Sequence, residues 1–333
     1  MSLSSQLKDP TSPVGRFIQQ RFSHTASLTK DANRQLGGAH TLHPGNATYP
    51  YQTIGTAIDY RIRYSFALTP YRKLVAWQGA TTLAFKPLES ENDIPIAFEE
   101  FIDFALPFNP VMGVAQGPYS MKLLEAFFAS LETFLNTVHP VKRRLDVEAE
   151  RTLARYCYVL SLFEQVSRAG RRVVFQGSPL MIPTPKQSVE ALLAIPQNAY
   201  IEDMCQLSNL FFDQCQHLLF LPSILNPTFA GSYDVGGADA DLVIDGCLID
   251  IKASTTPKIA ADYLYQLAGY LLLDYDDSLK MNAVGIYMAR QGMLFTWSVP
   301  DFLKQLTGDS SANLASLRDE FRAVCQDTRK RMR

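Results

Sequence analysis

Near the C-terminal third of the chain, two short runs carry residues suited to hydrolytic chemistry: Asp239 and Asp241 in GADADLVI, then Asp250 and Lys252 in CLIDIKA. The runs flank Asp245-Gly246, a dipeptide that favours a two-residue type I′ hairpin because both positions accept positive φ. With that turn, Ile244 pairs with Cys247, Asp241 falls across from Asp250, and Asp239 falls across from Lys252. Strand side chains alternate, so Asp239, Asp241, Asp250 and Lys252 share one face while Ala240, Leu242, Ile244, Cys247, Ile249 and Ile251 share the other. The apolar face is expected to pack on a helix and the acidic face to look into a cleft.

Carboxylates directly opposite each other stand roughly 4.5–5.5 Å apart at Cβ, and their repulsion destabilises a sheet unless a cation compensates. Mg²⁺ or Mn²⁺ suits such a pair, because these hard ions take oxygen ligands and bind through one or two carboxylates together with water and phosphate oxygens. An ion held there orients and activates water and polarises a phosphate, and Lys252 in the same cleft would steady the attacking water or the growing charge. The competing account is a wet hairpin face. Against it, Asp is depleted in strands, yet three Asp and a Lys line one face here opposite an unbroken apolar one.

The elements that must position this hairpin can be traced along the chain. Residues 1–50 lack sustained periodicity apart from an amphipathic piece around Gly15–Phe22, and are expected to form an N-terminal arm. A helix-compatible stretch follows over Ile54–Phe66. Helices are expected over 117–138, 146–169, 187–194 and 199–219, broken by Pro or Gly at 110, 140, 170, 182–185 and 196. From Asn226 the character turns to NPTFAGSYDVGGAD, in which Gly236 and Gly237 read as ordinary turn residues. After the hairpin come a helix over Ile259–Leu273, strands over Val284–Ala289 and Leu294–Val299 around a Gln-Gly turn, and a helix over Ala312–Arg329.

Composition narrows the function classes. With 333 residues, 47% hydrophobic and 19% charged, the chain can bury a large core and is not of the disordered type. Its apolar runs are too short to span a bilayer and its start lacks a secretory leader pattern, so no membrane partner and a cytoplasmic location are expected. The five cysteines have no CxxC or zinc-finger spacing, the five histidines form no triad or zinc pattern, and no phosphate-loop or dinucleotide glycine fingerprint is present. Net charge is −2, so polyanion binding would rest on local basic runs: Lys142, Arg143 and Arg144 continuing to Arg151 and Arg155, and Arg168 with Arg171 and Arg172. Solvated helix faces are the plainer reading of both.

Asp241 with Asp250-Ile251-Lys252 resembles the PD-(D/E)XK nuclease superfamily, whose pattern is an Asp opening one strand and Asp or Glu, any residue, then Lys on the next. Gln266 and Tyr270 in QLAGY are similar to the Gln-x-x-x-Tyr motif of the RecB-like branch, and IGTAIDYRIRY at 54–64 resembles the Gly-x-x-x-His segment opening its first helix. The resemblance covers about a third of the chain. It implies an α/β fold with a restriction-endonuclease-like central mixed sheet flanked by helices and interrupted by a large helical insertion. The expected layout is an arm over 1–50, a first core helix over 51–69, the insertion over 70–225, a nuclease core over 226–300 and a C-terminal helix over 301–333. It further implies a Mg²⁺- or Mn²⁺-dependent nuclease acting on DNA. Asp241, Asp250 and the Ile251 carbonyl would be metal ligands, Lys252 the water-orienting cation, and Gln266 a contact to the site or the DNA backbone. Asp239 and Tyr270 are secondary candidates, with Tyr270 also readable as core. The departure is Asp59, which stands where the pattern has His or Glu; Glu202 and Asp213 are the fallback acidic ligands. The cysteine spacing argues against the iron–sulfur cluster of some RecB-like members. The alternative function is a nuclease-fold binding or scaffold protein with weak or no catalysis.

Overall fold

The structure, a computed structural model, describes residues 2–45, 49–86, 115–116, 119–174, 178–181 and 188–332. It divides into two compact units, one of Met1–Leu68, Pro140–Ala154 and Asn198–Arg333, the other of Thr69–His139 and Arg155–Gln197. In chain order the helices are α1 (Leu3–Lys8), α2 (Pro13–Arg21), α3 (Thr25–Gly37), α4 (Tyr51–Phe66), α5 (Val75–Ala84), α6 (Met121–Val138), α7 (Val147–Val174), α8 (Val189–Leu193), α9 (Asn198–Cys215), α10 (Ala261–Leu273), α11 (Val299–Thr307) and α12 (Leu314–Met332). Strands β1 (Phe85–Lys86) and β2 (Ala115–Gln116) pair in the second unit. The first unit carries β3 (Ser223–Leu225), β4 (Leu242–Ile244), β5 (Cys247–Lys252), β6 (Ala283–Met288) and β7 (Met293–Ser298).

These five strands form one mixed sheet in the order β3-β4-β5-β6-β7, with β5 and β6 parallel and the other pairs antiparallel. A parallel pair needs a crossover connection, and α10 supplies it. Parallel strands are covered on both faces, and this sheet follows that rule. On one face Val243, Leu248, Val284, Ile286 and Met288 join Leu264, Leu267 and Leu271 of α10 in the main core. On the other, Leu242, Ile244 and Ile249 are equally buried, α4 lies against β5, and Tyr287 meets Phe211 of α9 edge-on at 5.6 Å between ring centroids.

The expectation of one helix-packed face and one open acidic face is therefore corrected. Asp250 shares its face with Leu248 and Val243, whose neighbours are the core residues of α10. Alternation along β5 puts Asp250 on the face of Leu248, but it could not say that parallel pairing with β6 would bring a helix onto that side as well.

Residues 2–45 are not an arm. They form α1, α2 and α3, whose Leu3, Leu7, Val14, Ile18, Phe22, Leu28, Ala32 and Leu36 enter the same core. Local signals for α2 were present: Ser12 caps it by accepting from Gly15 N–H, and Pro13 occupies its first turn. At the other end the helix expected over Ala312–Arg329 is α12, and a further helix, α11, precedes it. Ser298 caps α11, Gly308 ends it at φ 72°, and α12 follows.

The unit without the large sheet is narrower than the 70–225 insertion. Residues 140–154 and those from Asn198 onward group with the sheet instead, and a buried ion pair between Arg61 of α4 and Glu150 (2.6 Å) belongs to that grouping. Within the second unit, Phe127, Phe128 and Phe163 are fully buried, and Phe128 stacks on Tyr71. A side chain at Gly79 would meet the Phe163 carbonyl at 1.7 Å, so only glycine permits that approach of α5 to α7. Helix α7 runs through Gly170 to Val174, because one interior glycine costs only about 1 kcal/mol relative to Ala. The breaks read at 110 and 182–185 lie outside the described residues.

Candidate metal and phosphoryl site

The hairpin turn places Asp245 at φ 48° and Gly246 at φ 76°, and pairs Ile244 with Cys247, Val243 with Leu248 and Leu242 with Ile249. The β4 ladder stops there. Asp241 lies one residue before β4, and its side chain reaches β5: Oδ2 accepts the Ile251 N–H at 2.7 Å. Its carbonyl accepts the Asn226 N–H at 2.9 Å, which ties it to the end of β3. Asp239 does not continue the register. It forms an isolated bridge with Thr228 rather than pairing with Lys252, because the Pro227 carbonyl takes the Ala240 N–H and turns the chain away from β5.

Asp250 is 2% exposed. Lys252 Nζ lies 2.6 Å from Asp250 Oδ2 as an ion pair without hydrogen-bond alignment, so that buried oxygen has no aligned donor. The same ammonium donates to Gln266 Oε1 at 2.9 Å and stands 4.9 Å from the centre of the Tyr263 ring. Gln266 Nε2 donates in turn to the Tyr270 hydroxyl at 2.6 Å. Gln266 and Tyr270 are one turn apart on α10 and so share a face. Tyr270 is 5% exposed and stacks on Phe229 with centroids 5.3 Å apart, so it is a core residue and a hydrogen-bond partner of the site at once.

The charges explain the electrostatics. Burial, then the carboxylates of Asp59 and Asp250, push the Asp241 carboxyl well above its ordinary range, and the Ile251 N–H and Lys252 only partly oppose them. Burial works against the Lys252 ammonium, yet Asp250 and Asp241 outweigh it and leave its pKa above the usual lysine value. The Tyr270 hydroxyl is likewise raised, first by burial and then by Asp250 and Asp241.

Asp59 comes from α4 and is buried, not solvent-facing, with its Oδ2 ion-paired to Arg63 one turn on. It is close enough to Asp241 to raise its pKa, which brings a third carboxylate into the neighbourhood. The fallback residues are elsewhere: Glu202 pairs with Arg151 and Asp213 with Arg144, both at exposed positions. Gly236 and Gly237 adopt positive φ in the turn after Val235, where Gly236 ends a short 3-10 helix. The Gly237 carbonyl accepts the Leu3 N–H.

Two residues that sequence reasoning missed support the strand end. Arg290, fully buried, clamps Asp203 of α9 through two 2.9 Å contacts and donates to the Ala253 carbonyl, next to Lys252, at 2.9 Å. Its position just after β6 was visible, but its partner lies 87 residues away. Tyr263, three residues before Gln266, had only its place on the α10 face as a signal.

A hard divalent cation fits the donors present. Asp241 and Asp250 supply carboxylate oxygens, the Ile251 carbonyl is adjacent, and the mutual repulsion raising Asp241 is what such a charge relieves. Among the described residues no three His, Cys, Asp or Glu side chains are grouped so as to hold a metal ion. Compared with family models, curated proteins and solved structures, the chain matches none. Among the described residues no helix is long and apolar enough to cross a membrane.

Proposed function

We propose that the chain is a metal-dependent nuclease of the PD-(D/E)XK superfamily, RecB-like branch, with a restriction-endonuclease-like core that hydrolyses phosphodiester bonds of DNA. The observation that carries it is the convergence at one sheet end of Asp241, Asp250, Lys252 and Gln266, with a carboxyl held above its ordinary range by burial and then by its acidic neighbours. Mg²⁺ or Mn²⁺ held by Asp241, Asp250 and the Ile251 carbonyl would activate water and polarise the scissile phosphate. Lys252, fixed between Asp250 and Gln266, keeps its proton at neutral pH and presents a cation to the attacking water or the phosphate oxygens. Gln266, anchored on Tyr270, holds the ammonium in place, and the apolar cover on both faces restricts water.

A second function is a nuclease-fold scaffold with weak or no catalysis. Two observations favour it: Lys252 already sits against Asp250 Oδ2, and Asp59 is engaged by Arg63. Cleavage of labelled single- and double-stranded DNA under Mg²⁺ and Mn²⁺ separates the two. Asp250→Ala and Lys252→Ala should each lose about 10²-fold or more, the scale of removing one preorganised charge from a reaction centre. Undiminished cleavage by either variant removes the mechanism. Mn²⁺ titration calorimetry in which Asp241→Asn binds as wild type removes the metal site.

A further inference from the structure

We propose that the surface formed by His217, Phe220, Lys142 and Arg143 is a docking site for single-stranded nucleic acid, separate from the carboxylate site and resting on the nuclease function proposed above. Phe220 is 67% exposed, a large aromatic left in water at the end of α9's 3-10 extension, Gln216–Phe220. It does not stand alone, because Leu221 and Ile224 beside it are 39% and 46% exposed and Pro222 and Ser223 between them are exposed too. A 3-10 helix repeats every three residues, so exposed His217 shares the face of Phe220. From a separate part of the chain, Lys142 brings its ammonium to 5.6 Å from the Phe220 ring centre, with exposed Arg143 next to it.

The cationic run read in the sequence is mostly spent elsewhere. Arg144 pairs with Asp213, Arg151 with Glu148 and Glu202, Arg155 donates to the Leu193 carbonyl and Arg168 pairs with Glu164. The side chains of Arg171 and Arg172 lie outside the described ones. Lys142 and Arg143 form no ion pair among the described residues; the Lys142 ammonium lies against the exposed ring, and exposed Arg143 follows it along the chain. Asp245, whose N–H donates to the Pro222 carbonyl, bounds the surface at the hairpin turn.

An exposed ring beside cations is the combination that binds single strands, since any base can stack on an aromatic face while the backbone tracks positive charge. A second copy of the chain is the rival occupant, because β3 is a sheet edge with apolar side chains exposed. A two-fold contact through this surface would gather the Lys142 and Arg143 charges of both copies into one interface, like charge near like charge. A polyanion meets no such penalty. The surface adjoins β3, whose far end is linked through Asn226 to Asp241.

The test is fluorescence anisotropy of a labelled twelve-nucleotide oligothymidine in EDTA, where no cleavage occurs, on the full chain. Phe220→Ala should weaken binding by about five- to ten-fold, as expected for loss of one stacked base, while Phe220→Trp should retain affinity and show quenched emission on binding. Lys142→Ala with Arg143→Ala should lower the slope of log affinity against log salt by about 1.4, from about 0.7 per single-strand phosphate. Lys304→Ala, at an exposed position of α11 outside this surface, serves as the control and should bind as wild type. Unchanged affinity in Phe220→Ala and in the double variant, with wild type binding normally, overturns this surface and leaves the nuclease function standing. Failure of the wild type to bind the oligothymidine likewise overturns this surface, while cleavage under Mg²⁺ and Mn²⁺ decides the nuclease function. If Phe220→Ala instead turns a dimer into a monomer by light scattering with oligonucleotide affinity intact, the occupant is a second copy and the proposal is wrong.

Discussion

Replacing Arg290 by Met should cost about 4 kcal/mol of stability, within the range of about 3–5 kcal/mol found when one partner of a buried ion pair is removed. Arg290 is 0% and the Asp203 side chain 5% exposed, so solvent does not screen the loss. Met fills similar volume but leaves the Asp203 carboxylate without its two guanidinium contacts, with the Tyr49 hydroxyl still donating to it. It also deprives the Leu42 and Ala253 carbonyls of a donor. With a guanidinium chloride m-value of about 6 kcal/mol/M, the midpoint should fall by about 0.7 M. Circular dichroism through the denaturation transition measures it. Adding Asp203→Leu should recover much of the loss, because neither charge then remains buried. A shift of under about 1 kcal/mol for Arg290→Met, or a double variant less stable than the single, refutes the view that this clamp holds the strand end behind Lys252.

Asp277, beside Lys280 and Arg318, has its carboxyl held below the ordinary 3.8, so the folded chain binds its proton more weakly than the unfolded one. Its contribution is present above pH 3.8 and disappears on acidification through the lower folded value; Asp277→Asn should lose it at pH 7, discounted to about 0.5 kcal/mol for the group's exposure, and should approach wild type as pH falls through that lower value, as thermal melts along a pH series will show. Gly246→Ala should destabilise by more than about 1 kcal/mol, since φ is 76° and a Cβ would meet the Asn282 amide at 2.7 Å; denaturation midpoints report it, and a neutral result contradicts the tight turn. The thiols of Cys205 and Cys325 are pushed up to about 12 by burial and that of Cys247 to about 11, so native protein at pH 8 should react slowly with a disulfide reagent and rapidly once unfolded. Mg²⁺ or Mn²⁺ should raise the melting temperature of wild type but not of Asp241→Asn, measured by differential scanning calorimetry, because the carboxylate repulsion it relieves is then already gone.

Local chemistry made much of the site legible in advance. Asp245-Gly246 set the turn, the turn set the register from Ile244 and Cys247 outward, and period-two alternation put Asp241, Asp250 and Lys252 on one face. One-turn spacing on α10 likewise aligned Gln266 with Tyr270. These relations span a few residues, where backbone geometry alone decides.

What faces what over long separations was decided only on folding. The parallel β5–β6 pairing closed α10 over the acidic side; Asp203 reached Arg290 across 87 residues; and α1 to α3 became core instead of an arm. Such contacts depend on which apolar faces find each other when the sheet is covered, and no spacing along the chain encodes a partner that is brought near only by packing elsewhere.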